Sequence, residues 1–147
     1  MEKLLVAVDG SKSSMKAAEK AAELNKSLKY EVTIITVMET RDIEIKNIDT
    51  YTPNTTTEEL RNLNKEHLAE RGEEILEKAA DFFKSDKVKK VVKFGNPAYI
   101  ICDYAEEKSI DIIILADKGI GGVKRFFLGS ISDKVMRHSK SSVLIVR

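Results

Sequence analysis

Cysteine, tryptophan and proline are scarce in this 147-residue chain, which has one Cys, no Trp and two Pro. The single cysteine, Cys102, excludes an intrachain disulfide and favours a reducing compartment. Lys and Arg number 25 against 24 Asp and Glu, so the basic excess typical of nucleic-acid-binding proteins is absent. The apolar run at 4–8 is too short for a signal-peptide core or a membrane span. We therefore expect a cytoplasmic protein without nucleic-acid or membrane partners.

Short apolar runs alternate with helical patterns along the chain. Residues 4–8 and 110–115 are runs typical of buried strands, and strands are also predicted over the β-branched run 32–37 and over 88–94 and 142–146. Amphipathic spacing predicts four helices between them: one capped by Ser13 and Ser14, a long one over 58–83 with Leu63 among its apolar residues, one over 96–109 that starts at Asn96-Pro97, and one over 131–138. This alternation predicts a single α/β domain over residues 1–147, with a doubly wound five-stranded parallel sheet and helices on both faces.

Ligands bind to such sheets beyond the carboxyl ends of the strands, where the strand order changes direction. Three segments are predicted to meet there: residues 9–11, Met38 and Glu39 with the polar segment 40–57, and the glycine-rich segment 116–132 (ADKGIGGVKRFFLGSIS). The polar segment has the length of an Ω-loop or a lid. The glycine-rich segment holds four of the seven glycines, and we expect it at the ligand-binding edge.

The glycine-rich segment matches neither of two common phosphate-binding motifs. A P-loop requires Gly-Lys-Ser/Thr, which the chain lacks. The dinucleotide-binding fingerprint would need a third glycine where Lys124 stands, and it would follow the first strand rather than the fourth. Another spacing is present instead: Gly119, nine residues, then Gly129-Ser130.

In its βαβ context this spacing resembles the nucleotide-binding signature of the universal stress protein family: Gly, two residues, Gly, nine residues, Gly-Ser/Thr. The resemblance covers nearly the whole chain. Residues 6–11 (VAVDGS) resemble the family's opening strand and loop, 95–98 (GNPA) its Gly-Asp-Pro-Ala turn, and 142–146 (SVLIV) its closing strand. The first signature glycine is replaced by Ala116. A negative φ there would tolerate the methyl group, whereas a positive φ would strain the loop by about 1–2 kcal/mol.

The resemblance implies a ligand, ATP or AMP with or without Mg²⁺, and a set of contacts for it. Asp9 would contact the ribose or the metal–phosphate group, and Val37 would bind adenine through its backbone. The signature positions Ala116, Gly119, Gly129 and Ser130 would surround the phosphates. From the residues themselves, backbone N–H groups at the glycines and at the helix start near Ser130 and Ser132 are suited to bind an anion.

Two of these residues have a structural interpretation as well. Asp9 precedes Ser11 and Ser13 and could cap the first helix. Val37 could be an ordinary packing residue of its strand.

Positive charge is concentrated near the signature. Between residues 116 and 140 the net charge is +4, which leaves −3 for the rest of a chain whose total is +1. The cations are Lys118, Lys124, Arg125, Lys134, Arg137 and Lys140. We interpret the last three as residues of an exposed helix face.

The sequence leaves other functions open. One alternative is a stress protein that binds no nucleotide and acts through protein contacts. Another is an FMN electron carrier in which Ser11, Ser13 and Ser14 hold the phosphate. No Ser-His-Asp set or pair of carboxylates at a strand end is evident, so we expect at most slow ATP hydrolysis or autophosphorylation. The family resemblance also implies a homodimer through the C-terminal strand, if that strand lies at the sheet edge.

Overall fold

A parallel β-sheet forms the centre of the computed structural model, which describes residues 1–39, 57–84, 87–119 and 128–147. Within these residues the sheet has five strands in the order β3-β2-β1-β4-β5. The strands are β1 (Lys3–Ala7), β2 (Glu31–Met38), β3 (Val88–Phe94), β4 (Ile112–Ala116) and β5 (Ser142–Val146). The helices are α1 (Lys12–Leu28), α2 (Thr57–Ala80), α3 (Pro97–Glu107) and α4 (Ser130–His138), and a 3₁₀ turn (Asp81–Phe83) follows α2. The predicted segment 40–57, apart from Thr57, lies outside the described residues, as do Lys124 and Arg125.

Both faces of the sheet are covered by helices, as the unbroken apolar runs predict. Successive strand residues point to opposite faces. Leu4 and Val6 accordingly belong to the buried cluster under α1 and α2, whereas Leu5 and Ala7 belong to the cluster under α3 and α4. The doubly wound α/β prediction is confirmed.

Helix α1 begins two residues earlier than the sequence suggests. Gly10 has a φ of +87° and turns the chain directly after β1. Ser11 is then the N-cap, and its Oγ accepts a hydrogen bond from the Ser14 N–H at 3.1 Å. The prediction of Ser13 and Ser14 as caps is therefore wrong. The start of α3 is as predicted, because the Asn96 side chain accepts from the Tyr99 N–H and Pro97 is the first helical residue.

Helix α2 lies close against the sheet at Gly72. A Cβ atom placed there would lie 3.0 and 3.1 Å from the Val92 methyl carbons and 3.3 Å from Thr36 Cγ2. A side chain would therefore push α2 away from β2 and β3. The buried apolar face of this helix is shorter than the sequence predicted, since Leu63 is 51% exposed.

The two edges of the sheet differ in character. β3, at one edge, carries the exposed lysines Lys89, Lys90 and Lys93. β5, at the other edge, exposes Leu144. Among the described residues no helix combines the length and the apolar character needed to cross a membrane.

Candidate functional site

A cavity of about 440 Å³ lies at the carboxyl ends of β1, β2 and β4. β1 and β4 are neighbours in the sheet, and the helices that follow them, α1 and α4, cover opposite faces. This is the place where a doubly wound sheet leaves a crevice for ligands. Every residue that the sequence suggested as a nucleotide contact lines this cavity: Asp9, Val37, Ala116, Gly119, Gly129, Ser130 and Ser132.

Asp9 joins the turn after β1 to the loop after β4. Its Oδ1 accepts a hydrogen bond from the Ser11 N–H at 2.9 Å, and its own N–H donates to Ser14 Oγ at 3.2 Å. A Cβ atom on Gly119 would lie only 2.7 Å from Asp9 Oδ2. Glycine is therefore needed at 119 for the carboxylate to lie where it does. Asp9 stabilises the turn and borders the cavity at the same time, while the cap itself is Ser11.

Gly129 is needed for space rather than for an unusual backbone conformation. Its φ is −59°, which any residue can adopt. A Cβ atom there would lie 2.9 Å from the Asp117 carbonyl oxygen. The Gly129 N–H donates to that same oxygen at 2.6 Å. This N–H is thus used within the loop, contrary to the expectation that it would be available to an anion.

The start of α4 leaves backbone donors beside the cavity. The first helical hydrogen bond runs from the Asp133 N–H to the Gly129 carbonyl at 2.9 Å, so the N–H groups of Ser130, Ile131 and Ser132 precede the helical ladder. The N-cap is Gly129, which has no side chain to accept from them. These donors lie at the positive end of the helix dipole and are suited to an external anion.

Ser132 has a structural role in the same turn. Its side chain is 3% exposed, and its Oγ donates to the Ala116 carbonyl at 2.6 Å. This bond ties α4 to the end of β4. It uses the hydroxyl proton of Ser132, whereas Ser130 is exposed at the cavity.

Ala116 is the last residue of β4 and has ordinary strand geometry. It pairs with Val146 of β5, and its φ is not positive. Its methyl group belongs to the buried cluster on the α1 and α2 face of the sheet. The strain that a positive φ would have caused is therefore absent.

The backbone of Val37 faces the cavity. Residues of a parallel strand direct their N–H and C=O groups alternately to the two neighbouring strands. The backbone groups of Ile35 point toward β1, since its carbonyl accepts a hydrogen bond from the Val8 N–H. Those of Met38 point toward β3, since its carbonyl accepts from the Gly95 N–H. The N–H and C=O groups of Val37 must therefore point toward the β1 side. The pairing between β1 and β2 has already ended there, at Ala7 and Ile35. Its side chain meanwhile packs against the cluster under α3 and α4.

The charges at the cavity are mixed. Lys118 and Arg71 line it together with the carboxylates of Asp9 and Glu39. The other described cations of the basic region lie elsewhere: Arg137 pairs with Asp133 at 3.0 Å and Lys140 with Glu106 at 2.5 Å, and neither these two nor Lys134 lines the cavity. Lys134 and Arg137 are exposed on α4 as interpreted, whereas Lys140 is exposed beyond the end of that helix.

Helix α2 supplies a wall that the sequence did not suggest. Arg71 and Ile75 line the cavity, and a Cβ atom on Gly10 would lie 3.2 Å from two carbons of Ile75. Thr36, beneath this helix, also lines the cavity, and its buried Oγ1 has no hydrogen-bond partner among the described residues. No sequence signal distinguishes Arg71 from the other charged residues of a long polar helix.

Cys102 lies outside this site. It is half-buried on α3, and burial raises the pKa of its thiol, with the charge of Asp103 adding to the effect. A protonated thiol is a poor nucleophile, which agrees with a packing role.

Comparison with known proteins identifies relatives along the whole chain. The model of the universal stress protein family matches residues 1–147. Universal stress protein YxiE of Bacillus subtilis is 35% identical over 147 residues, which are 99% of this chain and 98% of that protein. The solved structure of hypothetical protein MJ0577 superposes with a TM-score of 0.83 at 28% identity, covering 99% of this chain and 94% of that one.

Two more distant structures contain nucleotides. A universal stress protein in complex with cAMP has a TM-score of 0.69 at 23% identity, covering 99% of this chain and 97% of that one. A family member from Arabidopsis thaliana with AMP bound has a TM-score of 0.64 at 17% identity, covering 99% and 91%. At these identities the likeness establishes the shared fold.

Proposed function

This chain belongs to the universal stress protein family, and we propose that it is a single-domain, cytoplasmic regulatory protein that binds ATP or AMP. The observation that carries the proposal is that one cavity at the crevice of the sheet is lined by all seven residues that the sequence suggested as nucleotide contacts. Nucleotide occupancy would change the surface that the protein presents to its partners. Bound cAMP and AMP in two proteins of the same fold make adenine nucleotides the first ligands to test.

The adenine ring is assigned to the β2 end of the cavity. Apolar side chains on the α3 and α4 face, among them Ile101, Leu115 and Ile131, line the cavity and suit a flat ring. The N–H and C=O groups of Val37 face the same space. The Val37 N–H can donate to an adenine ring nitrogen, and the Val37 carbonyl can accept from the adenine amino group.

The phosphates are assigned to the start of α4. The N–H groups of Ser130, Ile131 and Ser132 would bind them, helped by the Ser130 hydroxyl and by Lys118. Asp9 lies between this point and the adenine end. It is placed to contact the ribose or a Mg²⁺ ion that the phosphates carry, since carboxylate oxygen is a preferred magnesium ligand.

The FMN alternative loses its basis in the turn after β1. Ser11 Oγ is the cap of α1, and Ser14 Oγ donates to the Ser11 carbonyl at 3.0 Å while accepting from the Asp9 N–H. Two of the three hydroxyls that would have held the flavin phosphate are therefore used to close the turn.

We also propose a homodimer that pairs through β5. An apolar edge strand with unpaired backbone groups tends to associate, whereas lysines on an edge strand prevent it. Leu144 is 39% exposed on β5, and the opposite edge carries Lys89, Lys90 and Lys93. A two-fold pairing through β5 would bury Leu144 of both copies.

Calorimetric titration with Mg-ATP and with AMP tests the nucleotide proposal. We expect the wild-type protein to bind and Gly129→Ala to bind at least about fivefold more weakly. The added methyl group must displace either the Asp117 carbonyl or the start of α4, and such overpacking costs about 1–3 kcal/mol. Lys134→Ala, on an exposed position of α4 away from the cavity, is the control and should bind like wild type. Wild-type protein that binds neither nucleotide would refute the proposal.

A further inference from the structure

Arg71 lines the cavity from α2, the helix that no recognised motif includes. Its side chain is exposed, and it forms no ion pair with any other described residue. An unpaired guanidinium beside a ligand cavity is free to take a ligand oxygen as its partner. Its planar fork of N–H donors matches phosphate oxygens in two parallel hydrogen bonds.

A series of close contacts places Arg71 near Asp9 and the turn after β1. Gly119 lies against Asp9, Gly10 follows Asp9 in the chain, and Gly10 lies against Ile75. Arg71 is one helical turn, about 5.4 Å, before Ile75 and on the same side of α2. Because side chains of a helix lean toward its N-terminus, Arg71 extends beyond Ile75 and over the turn after β1.

The position of this helix is fixed by packing. Gly72, the residue after Arg71, lets α2 lie directly against Val92 and Thr36. Three residues later, and on a neighbouring position of the helix surface, Ile75 covers Gly10. Arg71 is thus held at a defined height above the sheet rather than carried on a freely moving segment.

We propose that Arg71 binds a phosphate group of the nucleotide from the α2 side of the cavity, opposite the N–H groups of α4. This inference rests on the proposed nucleotide-binding function. It adds a second cationic contact, besides Lys118, to a cavity whose carboxylates Asp9 and Glu39 would otherwise repel an anion.

The test compares Mg-ATP, AMP and adenosine as ligands of wild-type protein, Arg71→Gln, Arg71→Lys and Lys78→Gln. Lys78 is exposed on α2, two turns beyond Arg71, and does not line the cavity. Its substitution removes the same charge from the same helix. Dissociation constants are measured by calorimetry at two salt concentrations, and circular dichroism verifies that each variant is folded.

We expect Arg71→Gln to weaken ATP and AMP about 5- to 10-fold, as the loss of a partly solvated charged hydrogen bond does, and to leave adenosine within about twofold of wild type. Arg71→Lys should recover part of the ATP and AMP affinity that Arg71→Gln loses. The affinity of Arg71→Gln for ATP should also depend less on salt concentration than that of wild type. An unchanged affinity for ATP, or an equal loss for adenosine, would overturn the assignment of Arg71 while leaving nucleotide binding intact. Wild-type protein that binds none of the three ligands would instead reject the proposed function and this inference together.

Discussion

Substituting Ala116 with glycine restores the family's signature at the position where this chain departs from it. If the methyl group obstructs the ligand, Ala116→Gly should gain affinity for nucleotide. The structure predicts otherwise, because Ala116 has strand geometry without a positive φ and its methyl group belongs to the buried cluster under α1 and α2. We therefore expect ATP affinity to stay within about twofold of wild type, a difference below about 0.5 kcal/mol.

The same substitution should lower stability. Ala116 is 6% exposed, so Ala116→Gly removes one buried methyl group and lowers the free energy of unfolding by about 0.8 kcal/mol. The greater freedom of glycine in the unfolded chain adds about 0.5–1 kcal/mol. The expected total of about 1.3–1.8 kcal/mol corresponds to a melting temperature roughly 3–6 °C lower for a domain of this size.

Calorimetric titration with Mg-ATP and thermal unfolding without ligand measure the two effects separately. Ala7→Gly is a matched control, because Ala7 also ends a buried strand, is 8% exposed and lines the same cavity, but is not a signature position. It should lose similar stability and keep its affinity. A tenfold gain in affinity for Ala116→Gly alone would show that the methyl group does obstruct the ligand and that the reasoning from strand geometry is wrong.

Two further predictions concern the thiol and the edge strand. Cys102 should react with a disulfide reagent at pH 7 more slowly in the folded than in the denatured protein, because burial raises the pKa of its thiol and so lowers the thiolate fraction, and its rate should rise as the pH increases; equal rates would contradict this. Leu144→Lys should shift the protein from dimer to monomer in sedimentation velocity, while Leu28→Lys, at an equally exposed leucine on α1, should not; a wild-type monomer, or a dimer in both variants, would refute pairing through β5.

The sheet and its helices follow from local sequence patterns. Apolar runs without polar alternation predicted strands covered on both faces, and Leu4 to Ala7 alternate between the two buried clusters accordingly. The cap of α1 did not follow, because it depends on a left-handed Gly10 that starts the helix at Ser11. The exposure of Leu63 was also missed, since apolar spacing cannot tell how far along α2 the sheet extends.

Short sequence motifs predicted some of the residues that line the cavity but not others. Asp9, Gly119, Gly129 and Ser130 lie in segments that end strands, and the ends of neighbouring parallel strands must meet. Arg71 depends instead on how a long helix packs across the sheet at Gly72. Such packing joins residues far apart in sequence, so no local pattern could single out this arginine.

The glycines of the signature differ from those of the turns in what they require, and this explains how an alanine can stand among them. Gly10 and Gly95 have φ values of +87° and +132°, where a side chain is strained whatever space surrounds it. Gly119 and Gly129 lack positive φ and are needed because Asp9 and the Asp117 carbonyl lie within 3 Å of a would-be Cβ atom. Where φ is not positive, alanine can replace glycine if no neighbouring atom occupies the place of its Cβ atom. Ala116 places its methyl group in the buried cluster beneath α1 and α2, whereas glycine is retained at the two positions where the loop lies against Asp9 and the Asp117 carbonyl.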